Sequence, residues 1–188
     1  MPIGLDFLVV KITFELEQND IDRFQQALVR ARRLVQTMDE CDIVAAAKHS
    51  LDTLAIGGAP AYVRRQLTLV QRLLLMLEDE SWALPQGLRE DVLEALVYFS
   101  DPEDLIPDDL SVIGLLDDAI MLELLLRRQR HVLEAYDDYC AFRNAQSAPG
   151  TGSAERIAAA SRLARRRDLL HARMIRRATR EAEKEAPL

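Results

Sequence analysis

Residues 98–118 read YFSDPEDLIPDDLSVIGLLDD, and this stretch decides how the rest of the chain is interpreted. It combines dense carboxylates, two prolines and a glycine, and it lies between two apolar runs with helical spacing. Because the residue before a proline is driven away from the helical region, Pro102 ends the helix that arrives through Leu96. Asp101 and Asp108 are suited to capping the turns that follow. The stretch therefore predicts a helix, an acidic loop and a second helix.

The spacing of prolines, acids and glycine in this stretch follows a recognisable motif. The pattern DP-x-DLIPDD-x-x-x-x-G-x-LDDA occupies residues 101–119, and AL-x-YF precedes it at residues 95–99. Together they resemble the YkvA-like bacterial family of unknown function. A fainter likeness includes FELEQNDIDRF and AYDDYCAFR and would cover residues 12–143. The resemblance implies a helical domain that contains this loop, and it implies no particular activity.

Apolar residues recur at helical spacing along most of the chain, which predicts an all-α bundle of about five helices. Trp82 and Leu84, which precede a proline, are expected to close one end of the bundle. The first predicted helix begins near Asn19, the second runs from near Asp42 to Gly57, and the third begins near Pro60. The fourth leads into the acidic loop, and the fifth runs from about Leu115 to Arg143.

Near the N-terminus, apolar residues alternate with polar ones from Val10 to Leu16. Such alternation is typical of a β-strand. A single strand in a helical protein needs a partner, so the segment is either a short N-terminal strand or an extended arm packed on helices.

The C-terminal part of the chain differs in composition from the rest. Residues 144–153, NAQSAPGTGS, have the composition of a flexible linker between a bundle domain at 1–143 and a basic amphipathic helix at 154–188. Residues 153–188 contain ten basic and five acidic side chains, so the remaining 14 basic and 26 acidic residues give the body a charge of about −12. On a helical wheel, seven arginines share a sector of roughly 120°: Arg162, Arg165, Arg166, Arg173, Arg176, Arg177 and Arg180.

The acidic loop is the first candidate site. Asp104, Asp108, Asp117 and Asp118 could supply several oxygen ligands to a divalent cation. The alternative is that each acid caps a helix or pairs with an arginine. Capping is the favoured interpretation, so no resident cofactor is expected, and a divalent cation remains the alternative.

The arginine-rich helix is the second candidate site. Its arginines are suited to docking on the acidic body or on a second subunit, which predicts a protein partner or a homo-oligomer. Contact with nucleic-acid phosphates or an anionic membrane is the alternative. The helix lacks the aromatic residues that stack on bases or anchor in membranes.

No catalytic constellation is recognisable in the sequence. The three histidines occur singly, and no phosphate-binding glycine loop is present. We therefore expect a non-enzymatic interaction or adaptor protein. The alternative is a metal-dependent enzyme, such as a hydrolase, that uses the aspartates. Two isolated cysteines, a poor signal peptide and the lack of an apolar run of about 18 residues predict a cytoplasmic protein without a transmembrane segment.

Overall fold

The computed structural model describes residues 17–54, 60–101, 114–146 and 152–185. Within these ranges, six helices make up 89% of the residues and no strand occurs, which confirms the all-α prediction. The segment predicted as a strand, residues 10–16, lies outside the described residues. The helices are α1 (Gln18–Thr37), α2 (Glu40–Thr53), α3 (Ala61–Glu78), α4 (Gln86–Ser100), α5 (Gly114–Ala145) and α6 (Ser153–Glu185).

The helix starts follow from local sequence chemistry. Asp39 precedes α2 in an extended conformation, and Glu40 and Asp42 lie in its first turn. Their negative charges interact favourably with the free backbone N–H groups at the start of the helix. Pro60 and Pro85 directly precede α3 and α4, where a missing N–H removes no intrahelical hydrogen bond. The starts of α2, α3 and α4 are therefore explained by residues next to them in the sequence.

Helix α4 is the central packing element of the bundle. It contacts α1 and α2 on one side and α3 and α5 on the other. Val92 and Leu96 on α4 are completely buried, as are Leu73 and Met76 on α3 and Val132 on α5. Burying a side chain of this size contributes roughly 1.5–3 kcal/mol. Most of the hydrophobic core is thus formed where α3, α4 and α5 meet.

Helix α6 packs along α5 and extends the core on that side. Leu170 and Met174 are buried and belong to the same apolar cluster as the core of the bundle. The main contact of α6 is with α5, and one face of the arginine-rich helix is docked on the bundle. No described helix combines the length and the apolar character that a bilayer crossing requires.

Candidate functional site

The structure does not describe the side chain of any of the four predicted cation ligands. Asp104 and Asp108 lie outside the described residues, and Asp117 and Asp118 lie in α5 without described side chains. Their role in binding a divalent cation stays a prediction. Among the side chains that are described, no group of three or more histidine, cysteine or acidic residues could hold a metal ion.

Asp101, at the start of the acidic loop, is described and has a clear partner. Its carboxylate accepts a hydrogen bond of 3.2 Å from the guanidinium of Arg30 on α1. This is the pairing with arginine that the sequence suggested as an alternative to metal binding. The contact fixes the end of α4 to α1.

A loop between α3 and α4, residues 79–85, contacts both α5 and α6. We call it the Trp82 loop. The indole of Trp82 is completely buried, and its ring centre lies 5.0 Å from Tyr139, 5.7 Å from Tyr136 and 4.5 Å from His171 of α6. The predicted burial of Trp82 and Leu84 at the end of the bundle is therefore confirmed.

Asp79 fixes the shape of the Trp82 loop. One carboxylate oxygen accepts hydrogen bonds from Ser81 and from the backbone N–H of Trp82, and the other accepts from Tyr136 at 3.1 Å and Arg143 at 2.6 Å. Burial alone would raise the pKa of Asp79, but the hydrogen bonds from Ser81 and Arg143 outweigh it and lower the pKa. The carboxylate stays ionised and ties α3 to α5.

The backbone of the Trp82 loop also shows that its conformation is imposed by its contacts. Ala83 has a φ of 48°, in the left-handed region that disfavours residues with a side chain. Such a conformation persists where surrounding interactions determine it. Here the N–H groups of Trp82 and Ala83 both donate to the carbonyl oxygen of Asp79.

The seven arginines that share one sector of the helical wheel divide into two groups according to where they point. Arg173 donates to Asp138 at 2.7 Å and Arg177 donates to Glu134 at 3.1 Å, so both pair with acids of α5. Arg166 lies over the ring of Phe142, and Arg162 donates to Gln146. Two of these four arginines thus contact acidic side chains, and the other two contact Phe142 and Gln146.

The other three arginines face outward. Arg165, Arg176 and Arg180 are exposed and form no ion pair within the described ranges. Three apolar side chains are exposed on the same helix: Ile157 at 71%, Leu169 at 60% and Ile175 at 49%. We call the six residues the outward face of α6. It mixes positive charge with uncovered aliphatic surface.

His171 makes the docking of α6 sensitive to pH. Burial lowers the pKa of His171, the nearby charge of Arg167 lowers it further, and Asp168 and the Trp82 backbone only partly oppose them. The unfolded chain therefore binds more protons than the folded one between the lowered pKa and the ordinary value of 6.5. The contribution of the neutral His171 side chain to the free energy of unfolding is complete above about pH 6.5. It is lost as the pH falls through the folded-state pKa of His171.

We expect the free energy of unfolding to decrease as the pH is lowered from about 7.5 to about 5, with a smaller slope in His171→Phe. Phenylalanine keeps an aromatic ring against Trp82 but does not titrate. The measurement is urea unfolding at a series of pH values. His49→Phe, at an exposed position on α2, serves as the control with an unchanged slope. Equal slopes in His171→Phe and the wild type would contradict the assignment.

Comparison with known families gives one result that concerns the acidic loop. Residues 92–124 match the family model DUF1232, described as a protein of unknown function. The DUF1232 match begins at Val92 in α4, includes the acidic loop and ends in α5. No curated protein and no solved structure matches the chain. The DUF1232 segment thus contains the motif quoted from the sequence, and it supplies no activity.

The chain also brings together residues that the sequence did not single out. Gln66 of α3 is 3% exposed and donates a 3.0 Å hydrogen bond to Glu123 of α5. Burial raises the pKa of Tyr62 to about 12, and a hydrogen bond to Glu123 adds to the effect. The available signal was a polar Gln66 at the helical spacing of Val63 and Val70, within the apolar face of α3.

Proposed function

We propose that the protein is a YkvA-like, non-enzymatic interaction protein that binds an acidic protein surface through the outward face of α6. The observation that carries the proposal is the division of the α6 arginines. One group is used to dock the helix on α5, and Arg165, Arg176 and Arg180 remain available with exposed Ile157, Leu169 and Ile175 around them. Arginine and apolar side chains together are typical of protein interfaces.

The charge of the whole molecule favours a protein partner over a polyanion. The chain carries −7, and the body without α6 carries about −12. An extended phosphate surface would be repelled by that body, whereas a small acidic patch on a protein need contact only α6. Phosphate groups offer no apolar surface to cover the exposed aliphatic side chains, whereas a protein surface would bury them.

Membrane binding is disfavoured by the composition of the same face. Helices that lie in a membrane interface usually have a continuous apolar side, often with tryptophan or phenylalanine. On α6 the continuous apolar side, with Leu170 and Met174, is already covered by the bundle. The outward face retains only separated aliphatic residues.

The test is a charge reversal on the outward face in the full-length protein. We expect Arg165→Glu with Arg176→Glu to weaken binding to a labelled, acidic, amphipathic helical peptide at least tenfold, measured by fluorescence anisotropy. Self-association, measured by sedimentation velocity, should weaken equally if a second copy is the partner. The matched control is Arg23→Glu with Arg33→Glu, two exposed arginines on α1, which should leave both measurements unchanged.

Two results would contradict the proposal. An equal loss in both double variants would show that only overall charge matters. Binding of duplex DNA or phosphatidylglycerol vesicles that is tighter than peptide binding and depends on Arg165 and Arg176 would assign the face to a polyanion.

A cytoplasmic location also remains our proposal. Cys41 and Cys140 are free thiols on separate helices, α2 and α5. Free cysteines are typical of proteins in reducing compartments. The alternative function, a metal-dependent enzyme that uses the acidic loop, depends on Asp104 and Asp117 and is tested by calorimetric titration of Mg²⁺, Mn²⁺ and Zn²⁺ into the wild type and the alanine variants.

A further inference from the structure

A groove between α3 and α5 has the features of a small-anion site. It encloses about 160 Å³, and four arginines and three carboxylates line it together with Gln66 and apolar side chains. The space is large enough for a ligand of several non-hydrogen atoms. The arginines are Arg65, Arg72, Arg127 and Arg130, and the acids are Glu123, Glu134 and Asp137.

Each carboxylate in the groove already has a cationic partner. Arg127 pairs with Glu123 at 3.3 Å, and Arg72 pairs with Asp137. The third carboxylate, Glu134, pairs with an arginine of α6 that lies outside the groove. The acids of the groove are therefore neutralised by neighbours.

Two arginines remain on opposite walls of the groove. Arg65 on α3 and Arg130 on α5 are exposed and form no ion pair with any residue in the described ranges. Guanidinium groups bind phosphate and carboxylate oxygens through paired hydrogen bonds. Because neither Arg65 nor Arg130 forms an ion pair with a described residue, the two groups can balance two negative charges, so a dianion fits the groove better than a monoanion.

The buried amide of Gln66 adds a second requirement. Its N–H donates to Glu123, and because a carboxylate can only accept, the amide oxygen must be the atom left over. That oxygen is buried and accepts no hydrogen bond from the protein. A buried acceptor without a partner is costly, so a ligand that donates a hydrogen bond there would be favoured.

We propose that the groove binds a phosphate group, with Arg65 and Arg130 contacting its oxygens and Gln66 accepting a hydrogen bond from a hydroxyl group of the ligand. Near neutral pH, hydrogen phosphate carries close to two negative charges and one P–OH donor. A small phosphomonoester with a neighbouring hydroxyl group offers the same chemistry. Sulfate has the same size and charge but no donor, and a site that hydrogen-bonds a hydroxyl rejects analogues without one.

The experiment is isothermal titration calorimetry on the full-length protein with sodium phosphate, sodium sulfate and glycerol 3-phosphate at constant ionic strength. We expect phosphate to bind at least tenfold more tightly than sulfate. Comparable or tighter binding of glycerol 3-phosphate would identify an organic phosphate as the ligand, and weaker binding would identify the free ion. Both results support a phosphate site.

Variants separate the roles of the two kinds of side chain. Arg65→Gln with Arg130→Gln should weaken phosphate binding at least tenfold without affecting the fold, since both side chains are exposed. Gln66→Met should reduce the preference for phosphate over sulfate towards one, and circular dichroism checks that the variant is folded. Arg23→Gln with Arg33→Gln on α1 is the control that should retain wild-type affinity.

The inference is overturned by either of two results. One is equal affinity of the wild type for phosphate and sulfate, or no binding of either. The other is retention of phosphate affinity in the folded Arg65→Gln, Arg130→Gln variant. Neither outcome affects the proposed role of α6, because the groove and the outward face share no residue.

Discussion

Trp82→Ala is expected to lower the free energy of unfolding by about 3–5 kcal/mol, because a fully buried indole leaves a large cavity. The cavity would lie where the Trp82 loop, α5 and α6 meet, and it would remove the ring contacts to Tyr136, Tyr139 and His171. We therefore expect α6 to lose part of its docking energy as well. Guanidinium unfolding followed by circular dichroism measures the total loss.

The control for Trp82→Ala is Leu75→Ala on α3. The side chain of Leu75 is 60% exposed, so its removal should change stability by less than about 0.5 kcal/mol. Protease sensitivity of α6 should increase in Trp82→Ala but not in Leu75→Ala. Unchanged stability in Trp82→Ala would mean that the ring contacts of Trp82 do not stabilise the fold.

Asp79→Ala is expected to destabilise the protein by about 2–4 kcal/mol at neutral pH, because it removes the carboxylate that accepts hydrogen bonds from the Arg143 guanidinium and the Tyr136 hydroxyl. The backbone N–H of Trp82 would lose a partner too. The loss of free energy of unfolding should be smaller than for a fully buried ion pair, because the Arg143 side chain is 36% exposed. Chemical unfolding at pH 7 gives the difference from the wild type.

The effect of Asp79→Ala should depend on pH in a defined direction. Since the folded-state pKa of Asp79 is lowered, its contribution is present above the ordinary value of 3.8 and is lost as the pH falls further. Wild type and variant should therefore converge in strong acid. Glu78→Ala is the neighbouring control, because the exposed Glu78 pair with Lys48 contributes at most about 1 kcal/mol. A constant difference at all pH values would contradict the assigned ionisation.

The helices could be predicted from the sequence because their signals are local. Apolar spacing, Pro60, Pro85 and the acids before α2 act within a few residues of each boundary. The observed α3 and α5 begin within one residue of the predicted positions. Helix α5 ends at Ala145, two residues inside the segment predicted as a linker.

The docked face of α6 could be predicted only in part. The helical wheel separated arginines from apolar residues, and Met174 is buried as that pattern suggests. Ile157 and Ile175 are exposed although the helical wheel places them opposite most of the arginines. The side of α6 that the bundle covers is the one with Leu170 and Met174, and Ile157 and Ile175 lie outside it.

The groove and the Asp79 contacts could not be predicted because their partners are distant in sequence. Gln66 and Glu123 are separated by 57 residues, and Asp79 and Arg143 by 64. Only the packing of α3 against α5 brings them together. A single sequence contains no local signal for that pairing, although a buried glutamine in an apolar face indicates that a polar partner must exist.

The way in which α6 covers α5 has a consequence for the handling of shortened forms. Leu170 and Met174 belong to the apolar cluster of the bundle, so a chain that stops before Ser153 would expose the surface that they cover. Solvent-exposed apolar surface of this kind promotes precipitation and non-specific aggregation. Such a shortened chain would also be more acidic, because it would lack the ten basic residues at its end. Its solubility and its electrophoretic mobility would then change even if the arginines bound no partner.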